Sequence, residues 1–595
     1  MKEQIIHRIE LLRSYMAENE LSAFIIPSTD PHASEYTPDH WKAREWISGF
    51  TGSAGTVVIT HEEAALWTDS RYFLQAAEQL EGTSIKLMKE RIPGTPSISE
   101  WLMNTLYPGA VVGIDGWVHS ISETEALSNE LMQEGIVLDA THTPIDKIWN
   151  DRPALSKEAV CEQPLEYAGI SRTDKIGMIL DALVPCEADG VLLSSLDEIA
   201  WALNLRGNDV HCNPVFVSYL LITYEETILF IDPDKLTPEL KATLKEQEID
   251  TENYTTIKEI LKDYPYKTLA VDCARTSYAI AQLLNPQTKL IRCASPVSML
   301  KAVKNESEIK GFHQAMLRDG VAMVKFLKWL EEAVPQGGQT EISVSDKLYS
   351  LRAEQPLFKG ISFDTIAGYK EHGAIVHYEA TPETDKPLAP ESLLLLDSGA
   401  QYVDGTTDIT RTIALGPLTD DEKKDYTLVL KGHIQLSRAC FPKGTCGTQL
   451  DVLARTAMWR EGVNYLHGTG HGVGSYLNVH EGPHQIRMNH MPTPLQPGMT
   501  VTDEPGIYQT GRYGIRTENT LLVVPYKETE YGEFYTFEPL TLCPIDVRPI
   551  VTEMLNDEEL TWLNDYHRLV YEKLSPMLDE EHRTWLKEKT APLAR

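Results

Sequence analysis

Residues 22–30 and 46–69 read SAFIIPSTD and WISGFTGSAGTVVITHEEAALWTD, and residues 189–197 and 202–232 read DGVLLSSLD and ALNLRGNDVHCNPVFVSYLLITYEETILFID. Each pair gives an apolar, β-branched run, a polar stretch and a Gly-bearing turn. Two more apolar runs follow, joined across an acidic turn: Glu62-Glu63 in the first copy, Glu225-Glu226 in the second. Short apolar runs bounded by turn residues read as strands, and the matched order predicts a duplication. Helical runs such as ISETEALSNELMQEG lie between them. The expectation is two related α/β domains, at residues 1–150 and 155–300. GFTGSAGT in the first copy resembles a phosphate loop, but it lacks the Gly-Lys-Ser/Thr ending and leads into a strand, so it reads as a tight turn.

A chain of 595 residues has length for about three domains. The third is expected at 305–595. A charged helix begins near Asn305, helices then alternate with Gly-bounded strands to about residue 540, and a tail runs from about 545. In the tail Asn556 and Glu559 form a helix-capping pair ahead of Leu560, Leu563, Val570 and Leu574, as in a packing or subunit-contact helix. The N-terminal MKEQIIHRIELLRSYMAENE reads as an amphipathic helix rather than a secretory signal, and no apolar run approaches the ~20 residues of a membrane span. A cytoplasmic protein is expected.

The formal charge of −33 repels phosphate backbones and anionic membranes, so neither nucleic acid nor membrane is an expected partner. That charge does not oppose a substrate carrying a free ammonium group. The eight cysteines form no C-x-x-C pair, which excludes a zinc module or a disulfide framework and predicts reduced, mostly buried thiols.

Chemistry concentrates in the last third. In VTDEPGIYQTGRYGIRTENTLLVV (501–524), a hairpin centred on Gly511 pairs residues whose numbers sum to 1022, as 504 and 518 do. Glu504 and Glu518 would then face each other with Cβ atoms about 5 Å apart, a repulsive arrangement unless a cation or shared proton lies between them. In LLLLDSGAQYVDGTTDITRTIAL (393–415), Asp397 ends a buried-type strand and needs a partner. An ordinary turn at Asp404-Gly405 would leave Asp397 about four residues, ~13 Å, out of register with Asp408. Bringing the two together requires a bulge or strong curl. HGTGHGVGSYLNVHEGP (467–483) holds His467, His471 and His480 among glycines that argue against a helical zinc motif and would let backbone approach a site closely and hold at least one imidazole there. Four carboxylates with imidazole suit Mn²⁺, Fe²⁺, Co²⁺ or Zn²⁺, and five ligands suit two ions bridged by carboxylates and a hydroxide better than one.

At these residues the sequence resembles the pita-bread metallopeptidase family. That family includes methionine aminopeptidase, prolidase, aminopeptidase P and the metal-free creatinase. The resemblance runs along the whole chain. SGFTGSAGT and LWTDSRYFLQA carry it in the first domain, DEIAWALNLRG and NPVFVSYLLIT in the second. GAIVHY, DSGAQYVDGTTDITRT, HGTGHGVGSYLNVHEGP, VTDEPGIY and IRTEN carry it in the third. The tandem N-terminal domains favour the three-domain cytosolic aminopeptidase P group. The implied fold class is α/β (α+β), two creatinase-like N-terminal domains followed by a pita-bread catalytic domain.

The resemblance implies a ligand set for two divalent ions, Mn²⁺ foremost with Zn²⁺ or Co²⁺ as alternatives. Asp397 would chelate one ion, Asp408 and Glu518 would bridge both, and His471 and Glu504 would complete the second. It places His377, His467 and His480 around the substrate, with Tyr508 and Arg516 lining that side. The implied reaction removes the residue ahead of a penultimate proline, with Glu504 shuttling the proton and His377 and His480 donating to the scissile carbonyl oxygen. A homodimer is implied by the resemblance alone. Cleavage of Xaa-Pro dipeptides only, or peptide binding without cleavage, are the alternatives.

Overall fold

Two sheets of identical order occupy the N-terminal half of a computed structural model that describes residues 2–594. The first comprises β1 (Ala23–Pro27), β2 (Thr56–Thr60), β3 (Ala64–Thr68), β4 (Ile85–Lys89), β5 (Val111–Ile114) and β6 (Val137–Asp139). The second comprises β7 (Gly190–Leu193), β8 (Ser218–Thr223), β9 (Thr227–Ile231), β10 (Ile249–Glu252), β11 (Thr268–Val271) and β12 (Lys289–Arg292). The orders are β4-β3-β2-β1-β5-β6 and β10-β9-β8-β7-β11-β12, with antiparallel and parallel pairings at corresponding positions. The acidic turns match in detail. Thr60 N–H donates to the Glu63 carbonyl and Thr223 N–H to that of Glu226, both at 2.9 Å. Each threonine hydroxyl accepts from the two following glutamate N–H groups. A threonine can close such a turn on itself, so the same residue type recurs where the same turn recurs. The central strands are buried along their length, as in sheets covered on both faces.

The N-terminal helix α1 (Lys2–Glu18) buries Ile5, Ile9, Leu12 and Met16 on one face. GFTGSAGT is a turn whose Phe50 and Gly52 carbonyls accept from the buried Arg44 guanidinium. Within it the Thr51 N–H donates to Gln79 Oε1 at 3.0 Å, so that amide is already used inside the domain. All eight cysteines are free thiols, but only Cys543 is buried. The expectation of mostly buried thiols is corrected. Cys293 directly follows β12, Cys273 lies two residues past the end of β11, and Cys446 is the N-cap of a helix, positions outside the strands and the helix body.

By contacts the chain forms two compact units. One comprises residues 1–163 and 170–298 and carries both sheets; the other comprises 164–169 and 299–595. The second unit opens on α2 (Glu306–Ala333), capped reciprocally by Asn305 and Glu308. α3 (Glu341–Ala353) follows. Strands β13 (Ile366–Tyr369), β14 (Leu393–Ser398) and β17 (Ile409–Ala414) form one antiparallel sheet. Between the last two, β15 (Ala400–Tyr402) and β16 (Gly405–Thr406) belong to another sheet. The chain then runs through α4 (Asp420–Ser437), α5 (Gly447–Arg460), β18 (Gly470–Gly472), β19 (Glu481–Ile486), β20 (Thr500–Asp503), β21 (Gly506–Gln509), β22 (Tyr513–Arg516), β23 (Asn519–Thr529) and β24 (Gly532–Pro539). The final helices include α6 (Asp557–Leu574). Among the described residues no helix is long and apolar enough to cross a membrane.

The turn at 404–405 is not where the Asp-Gly signal put it. Tyr402 pairs with Gly405 and Gln401 with Thr406, so the turn residues are Val403 and Asp404. Asp404 is buried against Arg318 instead of facing water, which overrides the local turn preference. Asp397 therefore lies opposite Thr410, two residues rather than four from Asp408 (410 − 408 = 2). Both strands also change sheet here. A Cβ on Gly399 would lie 2.1 Å from the Thr407 carbonyl oxygen, so only glycine permits this crossing.

Candidate active site

Strand ends and connecting turns deliver the acidic side chains. The number sum of 1022 holds on both sides of the hairpin: Asp503 pairs with Asn519 in β20–β23, and Gly506 with Arg516 in β21–β22. Glu504 and Glu518 fall in the gap between these ladders, where the strands pass from one sheet to another. Each is anchored by its own amide, Glu504 N–H to the Thr469 carbonyl (2.8 Å) and Glu518 N–H to that of Thr410 (3.1 Å). Asp397 is the penultimate residue of β14 and Asp408 immediately precedes β17.

These groups converge with one imidazole. Ligand atoms of Asp408, His471 and Glu518 all lie within 4.8 Å of one another. His471 Nε2 is 3.4 Å from Asp408 Oδ2 and 3.6 Å from Glu504 Oε1. Its Nδ1 faces the Gly472 carbonyl oxygen at 2.9 Å. A carbonyl can only accept, so the neutral ring keeps its proton on Nδ1 and offers the Nε2 lone pair to the carboxylates. Thr410 Oγ1 donates to Glu518 Oε2 (2.8 Å) and accepts from Arg516 Nε (3.2 Å). Arg516 also donates through Nη2 to Asp397 Oδ2 at 2.6 Å, while Asp397 Oδ1 is buried with no hydrogen-bond partner.

Four carboxylates face one guanidinium, and the proton affinities of Glu504, Glu518 and Asp397 reflect it. Burial pushes Glu504 up to about 8; Arg516 opposes, and Asp408 and Asp397 add to the rise. Burial, then the neighbouring carboxylates, hold Glu518 well above the usual range. Burial raises Asp397 too, against the pull of Arg516. Acids crowded into a buried site without countercharge stay protonated. A divalent cation would supply the missing charge. The orphaned Asp397 oxygen, the imidazole lone pair and the oxygen-rich donor set all fit one or two such ions.

The remaining histidines rim this cluster. His467 Nε2 lies 2.8 Å from the Tyr508 hydroxyl, which accepts from Arg516 Nη1, also at 2.8 Å. A hydrogen-bonded path thus runs Asp397–Arg516–Tyr508–His467. The His480 ring meets the His471 ring edge to face at 4.4 Å between centroids. His377 follows Val376, whose carbonyl accepts from Arg516 Nη2 at 3.4 Å. All ten residues singled out in the sequence therefore belong to one connected region.

The glycines at 470 and 472 let the backbone approach neighbouring strands closely, as their pattern predicts. A Cβ on Gly470 would lie 1.9 Å from the Thr502 carbonyl oxygen, and one on Gly472 2.5 Å from that of Glu481. They let β18 press against β20 and β19, which fixes His471 beside Glu504. The sequence reading missed the groups behind the site. Arg411 donates to the Glu518 carbonyl (2.7 Å) and to Asn519 Oδ1 (2.9 Å). His433 faces Asp503, next to Glu504. Lys301 and Lys304 both reach Glu481, next to His480. The one signal in the sequence was adjacency to a site residue.

Four family models tile the chain. Two describe a Creatinase/Prolidase N-terminal domain, at residues 8–148 and 151–308. Metallopeptidase family M24 matches 310–525, and the C-terminal region of peptidase M24 matches 533–593. A probable Xaa-Pro aminopeptidase P from Laccaria bicolor is 40% identical over 606 residues, covering 98% of this chain and 93% of the relative. The chain belongs to the aminopeptidase P family of M24 metallopeptidases. Aminopeptidase P2 of Arabidopsis thaliana is 41% identical, with 97% of this chain and 86% of that protein covered. Among solved structures, X-prolyl aminopeptidase from Caenorhabditis elegans superposes with a TM-score of 0.94 at 35% identity, covering 99% of this chain and 100% of that one. It is described as a cytosolic enzyme with a di-nuclear active site. Xaa-Pro dipeptidase from Bacillus anthracis matches at TM-score 0.51 and 26% identity, covering 99% of its own length but 63% of this chain. The fold is thus that of a family member: creatinase-type N-terminal domains ahead of a pita-bread catalytic domain.

Proposed function

We propose that this chain is a metal-dependent aminopeptidase that removes the N-terminal residue from peptides with proline in second position. The observation that carries this reading is the buried convergence of Asp397, Asp408, His471, Glu504 and Glu518 in a member of this family. The five would hold two divalent ions. Once bound, such ions polarise a carbonyl and lower the pKa of water so that a nucleophile exists at neutral pH.

The chain's own residues do the rest. Glu504 takes the proton released by the attacking water and passes it toward the departing proline nitrogen. His377 and His480 donate hydrogen bonds to the oxygen of the scissile carbonyl as it gains charge. His467, fixed by Tyr508, orients the peptide. Tyr508 and Arg516 line the substrate side, and Arg516 steadies Asp397. The scissile bond has no N–H on its proline side and a fixed φ, so recognition must come from shape and not from a backbone donor. The substrate's free amine is drawn to the carboxylates, which restricts cleavage to chain ends.

We further propose Mn²⁺ as the ion, consistent with the oxygen-rich donors, a homodimer, a cytoplasmic location, and three domains at 1–150, 155–300 and 305–595. The test is one purified sample assayed on Xaa-Pro-Yaa peptides and Xaa-Pro dipeptides, with metal content measured alongside. Release of the first residue from the longer peptides, lost on chelation and restored by a divalent ion, is expected. Cleavage of dipeptides only would make it a prolidase-type enzyme, and activity surviving complete metal removal would end the dinuclear reading.

A further inference from the structure

One carboxylate outside the acidic cluster is as deeply buried as any within it. Glu341, the first residue of α3, has no exposed surface. Its Oε1 accepts from the Tyr369 amide (2.9 Å) and His372 Nδ1 (2.9 Å). Its Oε2 accepts from the Tyr378 hydroxyl (2.8 Å), the Lys386 amide (3.1 Å) and again His372 Nδ1 (3.0 Å). Every one of these donors comes from the single segment 369–386. The Glu341 amide returns a bond to the Lys386 carbonyl at 3.1 Å, closing the base of the segment.

That segment carries His377. Its neighbour Tyr378 is buried and tied to Glu341, and its other neighbour, Val376, is tied to Arg516. Arg516 in turn holds Asp397. His377 is thus pinned on one side to the acidic cluster and on the other to Glu341. A helix N-terminus favours a carboxylate, and this stabilises Glu341 where it sits. It does not explain why the donors all come from one loop. Satisfying a buried carboxylate that fully sets the loop's shape, because any donor withdrawn leaves buried charge uncompensated.

We propose that Glu341 is a positioning residue that fixes segment 369–386 so that His377 meets the substrate. The assignment rests on the function proposed above. Small displacements of an orienting group cost rate rather than binding. In full-length, metal-loaded enzyme, Glu341→Gln should therefore lower kcat for an Xaa-Pro-Yaa peptide about 10- to 100-fold, with KM and bound metal near wild type. In a His377→Ala background the same substitution should change kcat less than about twofold, because coupled residues are non-additive. Equal losses in both backgrounds, or no loss in the single variant, would overturn the proposal. Tyr378→Phe removes one donor only. It gives the same cycle with a smaller loss if Glu341→Gln fails to fold. Hydrogen exchange supplies a readout without activity: Glu341→Gln should accelerate exchange within 369–386 and not in β14 or β17. Were the wild type to cleave no Xaa-Pro peptide, the functional reading would fail, while unchanged exchange in 369–386 would separately dismiss Glu341.

Discussion

Glu504 has to serve two states with different charge. Without ions its carboxyl is pushed up to about 8, chiefly by burial, and Glu518 and Asp397 are raised as well. Glu504 is therefore largely protonated near neutrality in the metal-free protein, and Glu518 and Asp397 hold a proton more tightly than ordinary carboxyls, yet each must be ionised to bind metal. Metal and proton compete, so affinity should climb as pH rises from 6 to 8, and binding should release protons. Calorimetric titration in two buffers of different ionisation heat measures that release; identical heats would contradict the raised carboxyls. The stability of the metal-free protein follows the same sign. Groups with raised folded values stabilise it below their unfolded pKa, and that contribution is lost as pH rises through the folded values. The metal-free enzyme should melt lower at pH 9 than at pH 6, with added divalent ion reversing the trend. Glu504→Gln keeps the shape but cannot carry the proton, so turnover should fall about 10²- to 10⁴-fold with the fold intact. A loss of only twofold would assign the shuttle elsewhere.

At the scale of elements, what the sequence made legible was local register. Pairing numbers about Gly511 put Glu504 opposite Glu518 because a two-stranded hairpin is a local object with period two. The Asp404-Gly405 turn was misread because a partner on α2, Arg318, decides where Asp404 sits. The same limit hid the support of β19. Lys301 and Lys304 meet Glu481 across some 180 residues of chain, at 2.9 Å for Lys301, and all three side chains are buried. No periodicity encodes such a contact. Burial alone would raise Glu481, but the two lysines outweigh it and hold the carboxyl below its ordinary value. A depressed carboxylate contributes stability above its unfolded pKa and loses it as pH falls through the folded value. Lys304→Met should thus cost about 3 kcal/mol at pH 7, the lower end for breaking a buried pair, since Lys301 remains. Calorimetry should show its melting temperature converging on wild type as pH drops below the carboxylate range. A uniform offset at every pH would mean that packing, not charge, links β19 to these lysines.

The whole molecule decides between two readings left open by the sequence. The helix beyond 545 reads as a packing or a subunit-contact helix, and the structure makes it a packing helix. Leu563, Val570, Leu574, Leu578 and Leu586 are buried in one cluster with Leu393 of β14 and with Ile507 and Ile515 of the hairpin that ends beside Glu504 and Glu518. Apolar periodicity announced that α6 had a buried face, but not what lay against it. Burying each of these side chains is worth on the order of 2 kcal/mol. Five together rival the ~5–15 kcal/mol net stability of a typical domain. The polar link is as direct. The Tyr566 hydroxyl meets Arg411 Nη2 at 3.0 Å and donates to the Thr541 carbonyl at 2.9 Å, while Arg411 holds the Glu518 carbonyl. Deleting 555–595 should therefore leave no folded catalytic unit, read as lost near-ultraviolet dichroism and lost divalent-ion binding. Tyr566→Phe is the finer probe. It removes one buried hydroxyl, costing about 1 kcal/mol of stability. It should also weaken ion binding measured by calorimetry, because Arg411 loses a partner behind Glu518. A truncated chain that stays folded and binds metal as tightly as the full chain would return these helices to the role of a dispensable subunit contact.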